Sequence, residues 1–194
     1  MNAKYLALAG LILTSSVAPA AASPNALVRT MPVQNIQGIE THPLVAPGRA
    51  ATVLIFIAHD CPICNAYSAE IARLRDDYGK SHIALYVVYT DVGTSRAVLA
   101  AHAKTHDYTA FALYDPKHAL VKATGAMVTP EAVVLGPHDR IRYEGRIDNR
   151  FTGFGLERDV ASVSDLRHAL DSIRLGQSVA VARTKAVGCY IPGV

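Results

Sequence analysis

The sequence predicts an α/β fold, a three-layer α/β/α sandwich built on a central mixed sheet, and three observations carry that expectation. "ATVLIFIA", Ala51 to Ala58, is a continuous apolar run rich in β-branched residues and too short for a helix of its own. Such a run suits a strand buried on both faces of a parallel sheet. From Pro62 the apolar period becomes helical, with Tyr67, Ile71, Leu74 and Tyr78 on one stripe and Glu70, Arg73, Asp76 and Asp77 away from it. "EAVVLGPHDRIRYEGRID" then reads as two strands about the Gly136–Asp139 turn, an antiparallel hairpin.

The remaining elements follow in order. "PNALVRTMPVQNIQGIETHPLVAPGRA" is rich in Pro and Gly and reads as a lead-in strand or hairpin with loops. The helix opened at Pro62 stops near Gly79, and "HIALYVVY", His82 to Tyr89, is a second buried strand. Thr94 or Ser95 caps a helix through His106, built on Ala97, Val98, Leu99, Ala101 and Ala103. "FALYD" is a short strand, and "PKHALVKATGA" a short helix from Pro116 to about Gly125. Ser162 or Ser164 starts a last helix with Val163, Leu166, Ala169, Leu170 and Ile173 on its apolar side. "NRFTGFGLERDVA" is a loop before it, and "GQSVAVARTKAVGCYIPGV" is a tail to which no order is assigned. Helices on both faces of the sheet follow from this order.

Composition sets limits on function. The chain of 194 residues is 51% hydrophobic and long enough to bury one full core. A formal charge of +3, evenly spread and without Lys/Arg interleaved with aromatics, argues against a nucleic-acid surface. Lys4, the apolar segment Tyr5 to Leu13 and the small residues of "SSVAPAAAS" form the three parts of a cleavable leader, residues 1–22. The apolar segment is short for a bilayer span, so no stable membrane insertion is expected after cleavage. Its removal leaves 18 basic against 16 acidic side chains. The expected organisation is a leader over 1–22, one domain over 23–175 and a tail over 176–194, with a periplasmic or secreted location.

Three cysteines are too few for a disulfide scaffold in a chain of this length. Cys61-Pro62-Ile63-Cys64 lies where a parallel strand ends and a helix begins, the place where open α/β sheets carry their functional loops. With Cys61 as the N-cap and Pro62 as the first helical residue, the free amides and the helix dipole favour a Cys61 thiolate. Cys64, one turn in, faces the body of the protein and holds its proton more readily. An exposed attacking thiolate beside a sheltered resolving thiol suits dithiol–disulfide exchange. Thr129-Pro130 enters a strand, where proline is ordinarily awkward. Local sequence alone favours a trans bond there.

Taken together, the leader, the strand, C-P-x-C at a helix start and "TPE" entering a hairpin resemble exported thioredoxin-like, redoxin-domain thiol–disulfide oxidoreductases. The resemblance covers about Ile36 to Leu175. It implies a thioredoxin-like fold, Cys61 as nucleophile, Cys64 as resolving thiol and Pro130 as a cis-proline facing the pair. It further implies that Thr129 offers backbone hydrogen bonds to substrate. The partners it implies are protein thiol or disulfide substrates and a redox partner protein. No cofactor is expected, because the cysteines carry the electrons. The segment between Tyr89 and Phe111 resembles the larger, peroxiredoxin-related branch.

Two departures stand out: Ile55 replaces a buried acid six residues before the first cysteine, and Asp60 replaces the usual preceding aromatic. Asp60 would raise a neighbouring thiolate's pKa and a protonated His59 would lower it. Glu131 is an alternative acid or base. A peroxidase needs Pro and Thr or Ser before its cysteine; Val53 and Ala58 stand there for Cys61, Phe56 and Cys61 for Cys64. Copper binding through His59, Cys61 and Cys64 is the alternative from another class. His102 and His106 form an i,i+4 pair, expected as a solvated face. Tyr143, Arg146 and Asp148 are expected to support the hairpin, and Phe151 to Gly155 to border the site. Cys189 has three open readings: a thiol without a role, a third redox thiol folded back towards Cys61, or an intermolecular link.

Overall fold

The computed structural model describes residues 31–42 and 48–194, so the leader read over 1–22 lies outside the described residues. A hairpin of β1 (Val33–Asn35) and β2 (Glu40–Thr41) forms one edge of the sheet. Its turn is fastened by the Asn35 side chain, which accepts hydrogen bonds from the amides of Gln37 and Ile39. β3 (Ala51–Ile57), β4 (Ile83–Tyr89) and β5 (Ala112–Tyr114) are parallel. Beyond two-residue β6 (Val128–Thr129), β7 (Glu131–Leu135) pairs antiparallel with β3, and β8 (Ile141–Gly145) antiparallel with β7. The seven-stranded order is β2-β1-β5-β4-β3-β7-β8, the mixed sheet that the alternation of patterns implies.

Every residue of β3 is buried, because both faces of the sheet are covered. Alternate side chains point to opposite faces. Val53, Ile55 and Ile57 join a large core with Ile71, Leu74, Leu99, Leu166 and Leu170. Leu54 and Phe56 join a smaller one with Leu113, Leu120, Val121 and Val133. The first layer is contributed by α1 (Pro62–Ala66), α2 (Ser68–Gly79), α3 (Arg96–Thr105) and α5 (Asp165–Arg174). The second is thin, being six-residue α4 (Ala119–Thr124) supplemented by Val33 and Ile191.

Local sequence explains most boundaries and corrects others. Ser95 caps α3 by accepting the Val98 amide. The helix expected from Pro116 instead begins at Ala119, because the Asp115 carboxylate takes the amides of Ala119 and Val121 and so caps the first turn. Gly125 closes it at a φ of 78°, a left-handed position that glycine takes without strain. Val163 falls outside α5, which starts after Ser164. The helix expected unbroken from Pro62 to Gly79 is interrupted at Tyr67, whose amide bonds three residues back to the Cys64 carbonyl. The tail is ordered and folds back across the hairpin: Ala182 O accepts from the Glu144 amide, and Thr184 N–H donates to Glu144 O. The segment expected as a loop after the hairpin holds a short antiparallel pair, β9 (Phe151–Gly153) with β10 (Leu156–Glu157), and the tail ends in β11 (Cys189–Tyr190), antiparallel to β6.

Candidate active site

The site is assembled where β3 ends. Ala58, His59 and Asp60 carry the chain out of the sheet, and Cys61 takes the N-cap position with extended φ/ψ before Pro62. Proline suits the first helical position because its missing N–H would have had no helical partner. Across the gap stands Thr129, joined to Pro130 by a cis peptide bond. Cys61 Sγ lies 3.3 Å from the Thr129 carbonyl oxygen. The four residues singled out as the site, Cys61, Cys64, Thr129 and Pro130, therefore meet at one place in the fold.

The two thiols are driven apart electrically. Cys61 is lowered to about 5, chiefly by a hydrogen bond from the Cys64 thiol, with further help from Cys189 and the backbone amides of Cys64 and Cys189, against burial. Cys64 is raised well above the ordinary thiol range, first by burial and then by its bond and repulsion with Cys61. Exposure differs from expectation: Cys61 is only 1% exposed and Cys64 2%. What covers Cys61 is the tail. Cys189 Sγ lies 2.8 Å from Cys61 Sγ, and Cys189 stands opposite Thr129 in the β11–β6 register. Burial and the neighbouring Cys61 charge push the Cys189 thiol up to about 12.

His59 and Asp60 do not contest Cys61 in the way their positions suggested. The His59 ring bonds through Nδ1 to Asp91, and Asp60 is exposed. Ile55 is fully buried in the core, so no acid lies below the pair at that point of β3. The Glu131 carboxylate is engaged by the amides of Met127 and Val128, fastening the turn into Thr129 rather than facing the cysteines. Among the described residues, His59, Asp60 and Asp91 offer three ligand atoms within 4.8 Å of one another, a set that excludes both cysteines.

A polar network beneath the site went unread in the sequence. Asn65, just after the C-x-x-C, donates through Nδ2 to the His59 carbonyl, 3.2 Å, so its Oδ1 accepts from His102 Nε2, 2.8 Å. His102 Nδ1 must then accept from the Tyr89 hydroxyl, 2.7 Å, which fixes the neutral tautomer. Burial first, then His106 and His59, lower His102 to about 4. His102 is thus half-buried and partnered, not part of a solvated face. On the other side, the Tyr67 hydroxyl donates to Asp148, 2.5 Å, and the Arg150 guanidinium lies over the Tyr67 and Phe151 rings. Tyr143 bonds the Arg146 carbonyl, and Arg146 pairs with Asp165, tying hairpin to α5. Phe151 to Phe154, with Met127, Val128 and the tail, line a cleft of about 660 Å³ whose walls include neither Cys61 nor Cys64.

A family model described as the AhpC/TSA family matches residues 29–144. No curated protein matches significantly. Among solved structures, a hypothetical protein from Sinorhizobium meliloti superposes with a TM-score of 0.73 at 22% identity, over 83% of this chain and 89% of that one. An uncharacterized conserved protein from Geobacillus kaustophilus gives 0.73 at 23% identity, over 84% and 90%. A secreted disulfide oxidoreductase of Mycobacterium tuberculosis, homologous to Escherichia coli DsbE, gives 0.56 at 12%, over 75% and 98%. These likenesses show a thioredoxin-like α/β fold, and with more than half its length matched by the family model, the chain belongs to the AhpC/TSA family.

Proposed function

We propose that this protein is an exported thiol–disulfide oxidoreductase that exchanges disulfides through Cys61 and Cys64. The observation that carries the reading is the split between the two thiols, one held as thiolate at a helix start and the other kept protonated behind it. The Cys61 thiolate attacks one sulfur of a substrate disulfide, forming a mixed disulfide and releasing the other substrate sulfur as a thiolate. Cys64 then gives up its proton to that leaving thiolate and attacks Cys61 Sγ. The bond to substrate breaks, and the Cys61–Cys64 disulfide forms as the substrate gains two electrons. The reverse sequence donates a disulfide. Thr129 and Pro130 present the backbone edge on which a substrate strand lies, and protein thiols or disulfides are the substrates.

The leader over 1–22 supports export to a compartment where disulfides persist. The oxidoreductase reading is favoured over a peroxidase one because Val53 and Ala58 offer no hydroxyl to polarise a peroxide. It is favoured over copper delivery because the His59 ring is turned to Asp91. The test uses turnover of a protein disulfide. Cys61→Ser should abolish it, and Cys64→Ser combined with Cys189→Ser, which removes both thiols near Cys61, should accumulate substrate as a mixed disulfide on Cys61. Full turnover by Cys61→Ser would overturn the proposal.

A further inference from the structure

We propose that Cys189 is a third redox thiol, and that the tail around it is a built-in occupant of the substrate edge, able to close a Cys61–Cys189 disulfide. The inference rests on the exchange chemistry proposed above for Cys61, and adds a partner contained in the same chain.

The tail lies where an exchanging substrate strand would lie. β11 runs antiparallel to β6, with Cys189 opposite Thr129 and Tyr190 opposite Val128. The Ile191 amide donates to the Met127 carbonyl, 3.1 Å, and the Thr129 hydroxyl reaches the Cys189 carbonyl, 3.4 Å. This register delivers Cys189 Sγ to within 2.8 Å of Cys61 Sγ. A bonded pair sits at about 2.05 Å, so closing the bond takes less than 1 Å of sulfur movement.

The approach is held on both sides of the cysteine. Downstream, Ile191 is 3% exposed and packs in the smaller core with Leu54 and Phe56. Upstream, the Thr184 hydroxyl meets the Tyr143 hydroxyl at 2.7 Å and accepts the Arg146 amide, while Arg183 pairs with Glu144. Between them, Gly188 passes so close to Thr129 that any Cβ there would collide with the Thr129 carbonyl oxygen. Gly145 makes the same concession to Thr184, at a φ of +135°. A tail without a role would not need two glycines to let it approach.

The step balances within the chain. Starting from a Cys61–Cys64 disulfide, Cys189 loses its proton and attacks Cys61 Sγ. The Cys61–Cys64 bond breaks, Cys64 leaves as a thiolate and takes up the proton, and no electrons enter or leave. The reverse attack by Cys64 frees the tail from its covalent link. The oxidised protein is therefore an equilibrium of two isomers, one whose docked tail a substrate can displace and one locked under its own tail. Substrate must displace β11 to reach Thr129.

Disulfide mapping tests this. Full-length wild type and Cys64→Ser are oxidised with glutathione disulfide at low protein concentration, quenched in acid and digested with trypsin without reduction. Cys61 and Cys64 fall in the peptide Ala50–Arg73 and Cys189 in Ala186–Val194. The expected result is the two peptides linked within a monomer in Cys64→Ser, and a share of the same species in wild type. Gly188→Val should slow that linkage by about tenfold or more, by lowering the effective concentration of Cys189 at Cys61. Cys64→Ser that stays glutathionylated at Cys61, or links only between chains, overturns the inference. Turnover by Cys189→Ser is measured alongside. If it persists while the linkage is missing, the inference falls and the oxidoreductase reading stands. If the linkage forms but neither wild type nor Cys189→Ser turns over a protein disulfide, the third thiol stands and the oxidoreductase reading falls.

Discussion

Cys61 Sγ lies 3.3 Å from the Thr129 carbonyl oxygen, across 68 positions of sequence. That carbonyl can accept only from the thiol form, whereas the Cys64 and Cys189 thiols favour the thiolate, and the thiolate prevails at about 5. The reduced protein should show a step in ultraviolet thiolate absorbance centred near pH 5, absent from Cys61→Ser. Cys64→Ala should move the step up further than Cys189→Ala, because Cys64 supplies the largest contribution. A first ionisation near 9, the free-thiol value, would contradict this. The same group adds stability to the reduced fold above the free-thiol pKa, and that stability is lost as pH falls through about 5.

The neutral state of His102 gives a second pH effect of its own. Its folded pKa of about 4 lies below the ordinary 6.5, so between those values the unfolded chain binds the extra proton. Stability should therefore rise from pH 4 to 6.5 and be lost as pH falls through that window. Denaturant midpoints of Cys61→Ser, which has no Cys61 titration, isolate the effect. Adding His102→Gln should flatten the slope; an unchanged slope would assign it elsewhere.

The bond from Tyr67 to Asp148 ties the break between α1 and α2 to the chain after the hairpin. Tyr67→Phe keeps the ring under Arg150 but leaves Asp148, buried, with the Arg150 amide as its remaining described partner. The expected loss is about 1–2 kcal/mol by denaturant unfolding. A change near zero would mean that the carboxylate finds water instead.

Tail docking can be read without any redox chemistry. Hydrogen exchange should show the Ile191 and Thr184 amides protected in wild type, since the first is bonded to the Met127 carbonyl just before β6 and the second to the Glu144 carbonyl of β8. Gly188→Val should strip protection from Ile191 while leaving Thr184, anchored by Glu144 and Tyr143, largely protected. Equal protection in both proteins would show that residue 188 does not control the approach.

What local sequence carries, the sequence showed: the buried run of β3, the helix start at Pro62 and the β7–β8 hairpin are written in periodicity and turn residues. The C-x-x-C and Thr129-Pro130 were legible because each is a short motif, although their meeting depends on β3 pairing with β7. The break at Tyr67 was hidden, since its apolar stripe continues unbroken through the interruption. Cys61's burial was hidden for a different reason. Its cover comes from a residue 128 positions away in a two-residue strand, too short to leave any period. Asn65 gave no signal, and the His102/His106 spacing pointed to a solvated face instead, because the roles of Asn65 and His102 rest on each other's orientation; the glycine before Cys189 was the one local mark of a close approach.

The central claim is that Cys61 and Cys64 act as one two-electron couple, and a redox titration tests it most directly. Cys189→Ser, which removes the competing isomer, is equilibrated in glutathione buffers of graded potential, quenched with an alkylating reagent and weighed. The expected result is that Cys61 and Cys64 become protected together, tenfold for each 30 mV or so, as a two-electron couple requires. A midpoint near about −120 mV would mark a disulfide donor and one near about −270 mV a reductant. Two cysteines that stay reactive at every potential, or that oxidise independently of each other, would contradict the account.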